Sequence, residues 1–149
     1  MTSDDSVDDT QDYPELRVRL NIRGSGFSPQ EVTSSLGIQP TRTWRAGERT
    51  DPRRNPAIVD GWTFMIGPRF AIDFREQIDQ LLESVRPIAS KVRELQERLR
   101  VRVELSCVAY ISDIVPALYF TPEQLEVVRD LGATIDIDFM LVEGDSGRA

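Results

Sequence analysis

The sequence predicts an α+β fold, a ferredoxin-like split βαβ sandwich with helices on one face of a four-stranded, antiparallel-type sheet. Three observations predict it. Four segments alternate apolar and polar residues with period two. Two short helices open on a shared Phe-Ser/Thr-Pro signal and stop at Leu-Gly. A long stretch of helical periodicity separates the two halves. The chain has 149 residues, 40% of them apolar, which suits one domain with a real core.

The first strand spans 15–23, where Leu16, Val18, Leu20 and Ile22 alternate with Arg17, Arg19, Asn21 and Arg23. Gly24-Ser25-Gly26 breaks it. A helix starts at Ser28, with Pro29 at its first position and Glu31 placed to complete a capping box, and ends at Leu36-Gly37. A loop with Pro40, Gly47, Pro52 and Pro56 fills 39–60. The second strand is 62–66, with Trp62, Phe64 and Ile66 on one face. From 72 to 99, Ile78, Leu81, Leu82, Val85, Ile88, Val92, Leu95 and Leu99 keep helical spacing. Pro87 lies inside this insert, so the insert is either one kinked helix or two helices with Pro87 opening the second. The third strand, 101–111, points Val103, Leu105, Cys107, Ala109 and Ile111 one way and Arg102, Glu104, Ser106, Val108 and Tyr110 the other. Thr121, Pro122 and Gln124 open the last helix, and Gly132 closes it. The fourth strand, 133–142, sets Ile135, Ile137, Phe139 and Leu141 against Asp136, Asp138 and Met140.

The stretch from Phe27 to Gly37 matches that from Phe120 to Gly132 in cap chemistry and in its place after an alternating strand. Read as a duplication, this yields two split units and the sheet order 4-1-3-2, with the first strand between the fourth and the third. The apolar faces then all meet the helices. The open face carries Arg17, Arg19 and Arg23 centrally, with Asp136 and Asp138 to one side and Tyr110 to the other.

Composition removes several function classes. There is no histidine, so the commonest general base, the Ser-His and Cys-His nucleophile pairs and the commonest metal ligand are missing. Cys107 is the single cysteine, which leaves no zinc set and no disulfide within the chain. No cofactor is expected. No signal peptide or membrane span is apparent, and the expected location is the cytoplasm. The basic residues are 17 Arg and one Lys, a bias that points to GC-rich bacterial coding.

Gly37-Ile38-Gln39-Pro40-Thr41-Arg42-Thr43-Trp44-Arg45-Ala46-Gly47-Glu48 is distinctive. With Gly61-Trp62, the Leu131-Gly132 helix end and the strand bearing Asp136 and Asp138, it resembles the bacterial domain-of-unknown-function family 4279 over about 15–142. The resemblance implies no specific activity. Some relatives in that family are associated with bacterial toxin–immunity or defence neighbourhoods, so the resemblance points toward a binding role.

The Arg loop is the first candidate site. Arg42, Arg45, Arg49, Arg53 and Arg54 surround Trp44, against Glu48 and Asp51. Guanidinium forks beside a ring suit a phosphate, a carboxylate or a stacked base. The alternative is a packed Trp44 with solvated or paired arginines. The sheet face (Arg17, Arg19, Arg23, Tyr110, Asp136 and Asp138) is the second candidate. Its alternative is a cross-strand ladder of the two aspartates with the three arginines. The face is also a candidate homodimer surface. The aspartate pair as a metal or acid–base site is disfavoured by those same arginines, and Cys107 reads as a core residue.

The expected function is therefore a small non-enzymatic binding module, immunity- or adaptor-like, that holds an acidic protein partner or a small anionic ligand. The alternatives are an enzyme acting on a phosphorylated or carboxylated small molecule, and sheet-mediated nucleic-acid binding. The formal charge is −7. Residues 1–14 read as a disordered acidic tail carrying Asp4, Asp5, Asp8, Asp9 and Asp12, and 143–149 as a second short tail. The domain, 15–142, is close to neutral, so the net charge does not exclude an anionic ligand.

Overall fold

The computed structural model describes residues 12–49 and 51–143. The acidic segment 1–11 and the end of the chain from 144, both expected to be tails, lie outside the described residues. The strands are β1 (Glu15–Gly24), β2 (Arg42–Trp44), β3 (Asp60–Phe70), β4 (Arg102–Ile111) and β5 (Thr134–Leu141). The helices are α1 (Pro29–Leu36), α2 (Arg75–Val85), α3 (Ala89–Leu99) and α4 (Pro122–Leu131).

The sheet has five strands in the order β2-β3-β1-β4-β5. This corrects the four-stranded 4-1-3-2 arrangement. The first strand sits between the strands around 62–66 and 101–111, antiparallel to both. The last strand runs parallel to β4 at the edge, so the sheet is mixed rather than antiparallel. The two halves also differ in topology. After α1 the chain returns through the β2–β3 hairpin to an antiparallel neighbour, whereas α4 links the parallel neighbours β4 and β5.

Period-two alternation places Leu16, Val18, Leu20 and Ile22 wholly inside, where they meet Val103, Leu105, Cys107 and Ala109 from β4. Helices cover that face through Val32 and Leu36, through Ile78, Leu81, Leu82 and Val85, through Val92 and Leu95, and through Val128 and Leu131. The Trp62 ring is fully buried, and its Nε1 donates to Thr33 Oγ1 at 3.0 Å. The insert is broken, not bent. A 3-10 turn at Arg86–Ile88 holds Pro87 between α2 and α3, because proline cannot supply the N–H that a continuous helix requires.

Three local expectations change. Thr121 and Gln124 form the reciprocal capping box of α4. Ser28 caps α1 without any side-chain hydrogen bond, and Glu31 instead pairs with Arg98 on α3 at 2.6 Å. On β5 Ile135 packs against the core, and the Phe139 ring stacks on the buried Phe74 with 6.2 Å between ring centres. Ile137 and Phe139 are half-exposed and Leu141 is 85% exposed, because an edge strand has no further strand or helix beside it. A register shift between Leu16 and Val18 interrupts the β1–β3 ladder. Gln77 Nε2 donates across it to the Leu16 and Ile66 carbonyls, at 2.8 and 3.3 Å.

Candidate functional site

The sheet face and the Arg loop, separate in the sequence, form one groove. Its walls are Arg17, Arg19, Asn21 and Arg23 from β1, Thr63 and Met65 from β3, Thr41, Arg42 and Trp44 at β2, and the loop from Arg54 to Val59. It has a volume of about 460 Å³. Among the described residues five arginines line it and no carboxylate does.

The β2–β3 hairpin makes this junction. Trp44 registers with Gly61 across the ladder, and Arg42 with Thr63. The Trp44 ring lies where a Cβ at position 61 would stand, so glycine is required for the ring to reach the sheet. The Arg23 guanidinium sits 5.9 Å from the centre of that ring, a cation–π approach.

Asp60 fixes the loop. Its carboxylate accepts from the Ala46 N–H at 2.8 Å and the Gly26 N–H at 2.9 Å, with Arg45 Nε at 3.5 Å. The Ala46 backbone bond is the main cause that holds its pKa below the ordinary 3.8. Burial opposes it, and Gly26, Arg45 and the Phe27 backbone reinforce it. Arg45 also donates Nη1 to the Phe27 carbonyl at 2.9 Å. Thus Arg45, expected among the ligand-binding arginines, braces the loop outside the groove. Arg49 and Arg53 are exposed and likewise lie off its walls.

Within the groove the charges are unequally satisfied. Arg17 pairs with Glu15 at 2.6 Å and stands 5.0 Å from the Tyr110 ring centre. Arg23 Nε is buried without an acceptor, with Glu104 Oε2 at 3.9 Å. Among the described residues Arg19, Arg42 and Arg54 have no carboxylate within ion-pair distance. Burial lowers the Arg19 pKa. Tyr110 opposes the shift, and Arg17 and Arg23 add to it by repulsion. Asn21 and Thr63, both buried, hydrogen-bond each other on the floor.

Asp136 and Asp138 do not form the expected ladder with the β1 arginines. They register with Ser106 and Val108 on β4, which in turn register with Arg19 and Arg17. A whole strand intervenes, about 10 Å across. Among the described residues no group of three or more Cys, Asp or Glu side chains is placed to hold a metal. The Cys107 thiol is fully buried and pushed up to about 12, first by burial and then by Asp136.

The model of the Domain of unknown function (DUF4279) family matches residues 14–141. The chain belongs to this family. The DUF4279 domain therefore takes in every strand and helix described above, together with the entire groove. No curated protein and no solved structure matches the chain. No described helix of the DUF4279 domain is long and apolar enough to cross a membrane.

Sequence reasoning singled out Arg17, Arg19, Arg23, Arg42, Trp44 and Arg54 and missed Asp60 and Gly61 as the residues that assemble them. The signal for both was local: an Asp-Gly pair directly before Trp62, at a strand start that faces a proline-rich loop.

Proposed function

We propose that this protein is a non-enzymatic binding module, adaptor- or immunity-like, that holds an extended anion in the groove between β1 and the β2–β3 hairpin. The ligand carries several carboxylates or phosphates, as an acidic protein segment or a small polyanion does. One observation carries the proposal: five arginines converge on one groove whose lining, among the described residues, contains no carboxylate. Arg17, Arg19 and Arg23 share one face of β1, about 7 Å from the first to the second and about 13 Å from the second to the third, a spacing that suits an extended chain of anionic groups. The Arg23 side chain is 40% exposed and its Nε lacks an acceptor, so this guanidinium is incompletely satisfied where an oxyanion would arrive. Binding is favoured over turnover because the described lining offers cations, two amides, hydroxyls and apolar groups, but no base.

The test is a titration with inorganic tripolyphosphate at low salt, followed by tryptophan emission, in which the buried Trp62 is a constant background to Trp44. The expected result is saturable binding that weakens as salt rises and falls at least about 10-fold in Arg19→Ala/Arg42→Ala. Arg53→Ala, outside the groove, leaves it unchanged. No saturable binding, or equal binding by the double variant, overturns the proposal. A salt-steep shift of single-stranded nucleic acid that outcompetes tripolyphosphate would favour a nucleic-acid ligand instead.

A further inference from the structure

Resting on the groove as an anion site, we propose that its resident occupant is the chain's own N-terminal segment, so that the protein competes with its external ligand in cis. Three observations combine. Asp4, Asp5, Asp8, Asp9 and Asp12 bring five negative charges with no basic residue among them, against the five arginines of the groove. The described chain begins beside the groove. Tyr13 and Glu15 line a second depression of about 330 Å³ with Phe70 and Tyr110, and Arg17 belongs to the walls of both. The reach is also sufficient. The row from Arg17 to Arg23 is about 20 Å long, and eleven residues extended from position 12 cover up to about 36 Å.

The competition is a matter of local concentration. A short tether holds its end at millimolar effective concentration, so a segment with a dissociation constant of roughly a few tenths of a millimolar occupies the groove most of the time. An external anion then binds several-fold more weakly than the bare groove allows. The contact is electrostatic and open to solvent, so salt weakens it. Arg19, Arg42 and Arg54 have no carboxylate partner among the described residues, so they are the groups with most to gain from it.

The experiment compares the full chain with a full-length variant whose tail is neutralised (D4N/D5N/D8N/D9N/D12N), each titrated with inorganic tripolyphosphate. The neutral tail is expected to raise affinity about 3- to 10-fold at low salt, with the gap closing near 0.5 M salt. A synthetic peptide of residues 1–12 is expected to displace tripolyphosphate from the neutralised variant and to bind at least about 10-fold more weakly once Arg19→Ala is added. Equal affinities with both tails, with binding intact, overturn the cis contact and leave the groove standing. If the neutral tail tightens binding but the peptide does not compete, the effect is general repulsion and the contact is again refuted. If neither protein binds tripolyphosphate, the groove itself fails as an anion site.

Discussion

Asp60 is the residue on which the groove's outer wall depends, and its removal gives the sharpest test of the structure. Its side chain is only 6% exposed and holds the Gly26 turn, the Ala46 turn and Arg45 to the start of β3. In Asp60→Ala two backbone N–H groups lose a charge-assisted acceptor. Such bonds contribute about 1.5–3 kcal/mol each. Gly26 and Ala46 are both at the surface, so water partly replaces the carboxylate and the lower figure applies. Arg45 is 54% exposed and rehydrates, so its ion pair adds less than about 1 kcal/mol. The expected loss is therefore about 3 kcal/mol, read as a fall in the urea midpoint of about 1–2 M at an ordinary slope. Trp62 emission reports the global transition, since its ring is in the core. The sign of the pH effect follows from the depressed carboxyl. Asp60 stabilises the fold fully above its unfolded value near 3.8, and that contribution is lost as pH falls through the lower folded value. Asp60→Asn should accordingly flatten the acid limb below pH about 4 while weakening the protein at pH 7. A loss under about 1 kcal/mol in Asp60→Ala, or an unchanged acid limb in Asp60→Asn, refutes the brace.

Two further outcomes are expected. Gly61→Ala puts a Cβ inside the Trp44 ring, which should lower stability by about 1–3 kcal/mol and shift Trp44 emission to the red with greater iodide quenching; unchanged emission would mean that the ring does not rest on position 61. Thr121→Ala removes a formed capping box and should cost about 1 kcal/mol, whereas Ser28→Ala, whose hydroxyl makes no cap bond, should cost a few tenths; similar losses at both sites would contradict the difference between the two helix starts.

Much of the fold was legible because side-chain periodicity is local. The alternation in β1 named its buried face residue by residue, and helical spacing from 78 to 99 named the core faces of α2 and α3. Strand order was not legible, because nothing within a strand states which neighbour it will pair with. The shared Phe-Ser/Thr-Pro and Leu-Gly signals describe helix ends, not the direction of the returning strand, and so suggested a symmetry that the β2–β3 hairpin breaks. β2 has three residues, too few for a period to show. β5 looked half-buried from its alternation, yet its place at the edge leaves most of its apolar side chains at the surface. The groove was legible in pieces. Arg17, Arg19 and Arg23 share a face by parity, and Arg42 and Trp44 stood out by residue type. Their meeting depends on Gly61 and Asp60, whose roles exist only across a ladder and across a loop.

The groove also sets stability against binding, and Arg19 separates the two. Its guanidinium is half-buried and faces Arg17 and Arg23 without a carboxylate partner among the described residues. Burial acts against the charged form, and an arginine does not escape by losing its proton near neutral pH. Burial and the two neighbouring arginines thus oppose the charge at this position, and Tyr110 offsets part of that opposition. Arg19→Met keeps much of the apolar stem and removes the charge. It should raise stability by about 1 kcal/mol, a few degrees in Tm, while tripolyphosphate binding weakens at least about 10-fold. In the natural protein a bound anion should offset the same opposition, so saturating tripolyphosphate raises Tm in the wild type and leaves the variant almost unmoved. A protein that retains Arg19 for packing alone would behave oppositely: Arg19→Met would lower Tm, and tripolyphosphate would stabilise both forms equally.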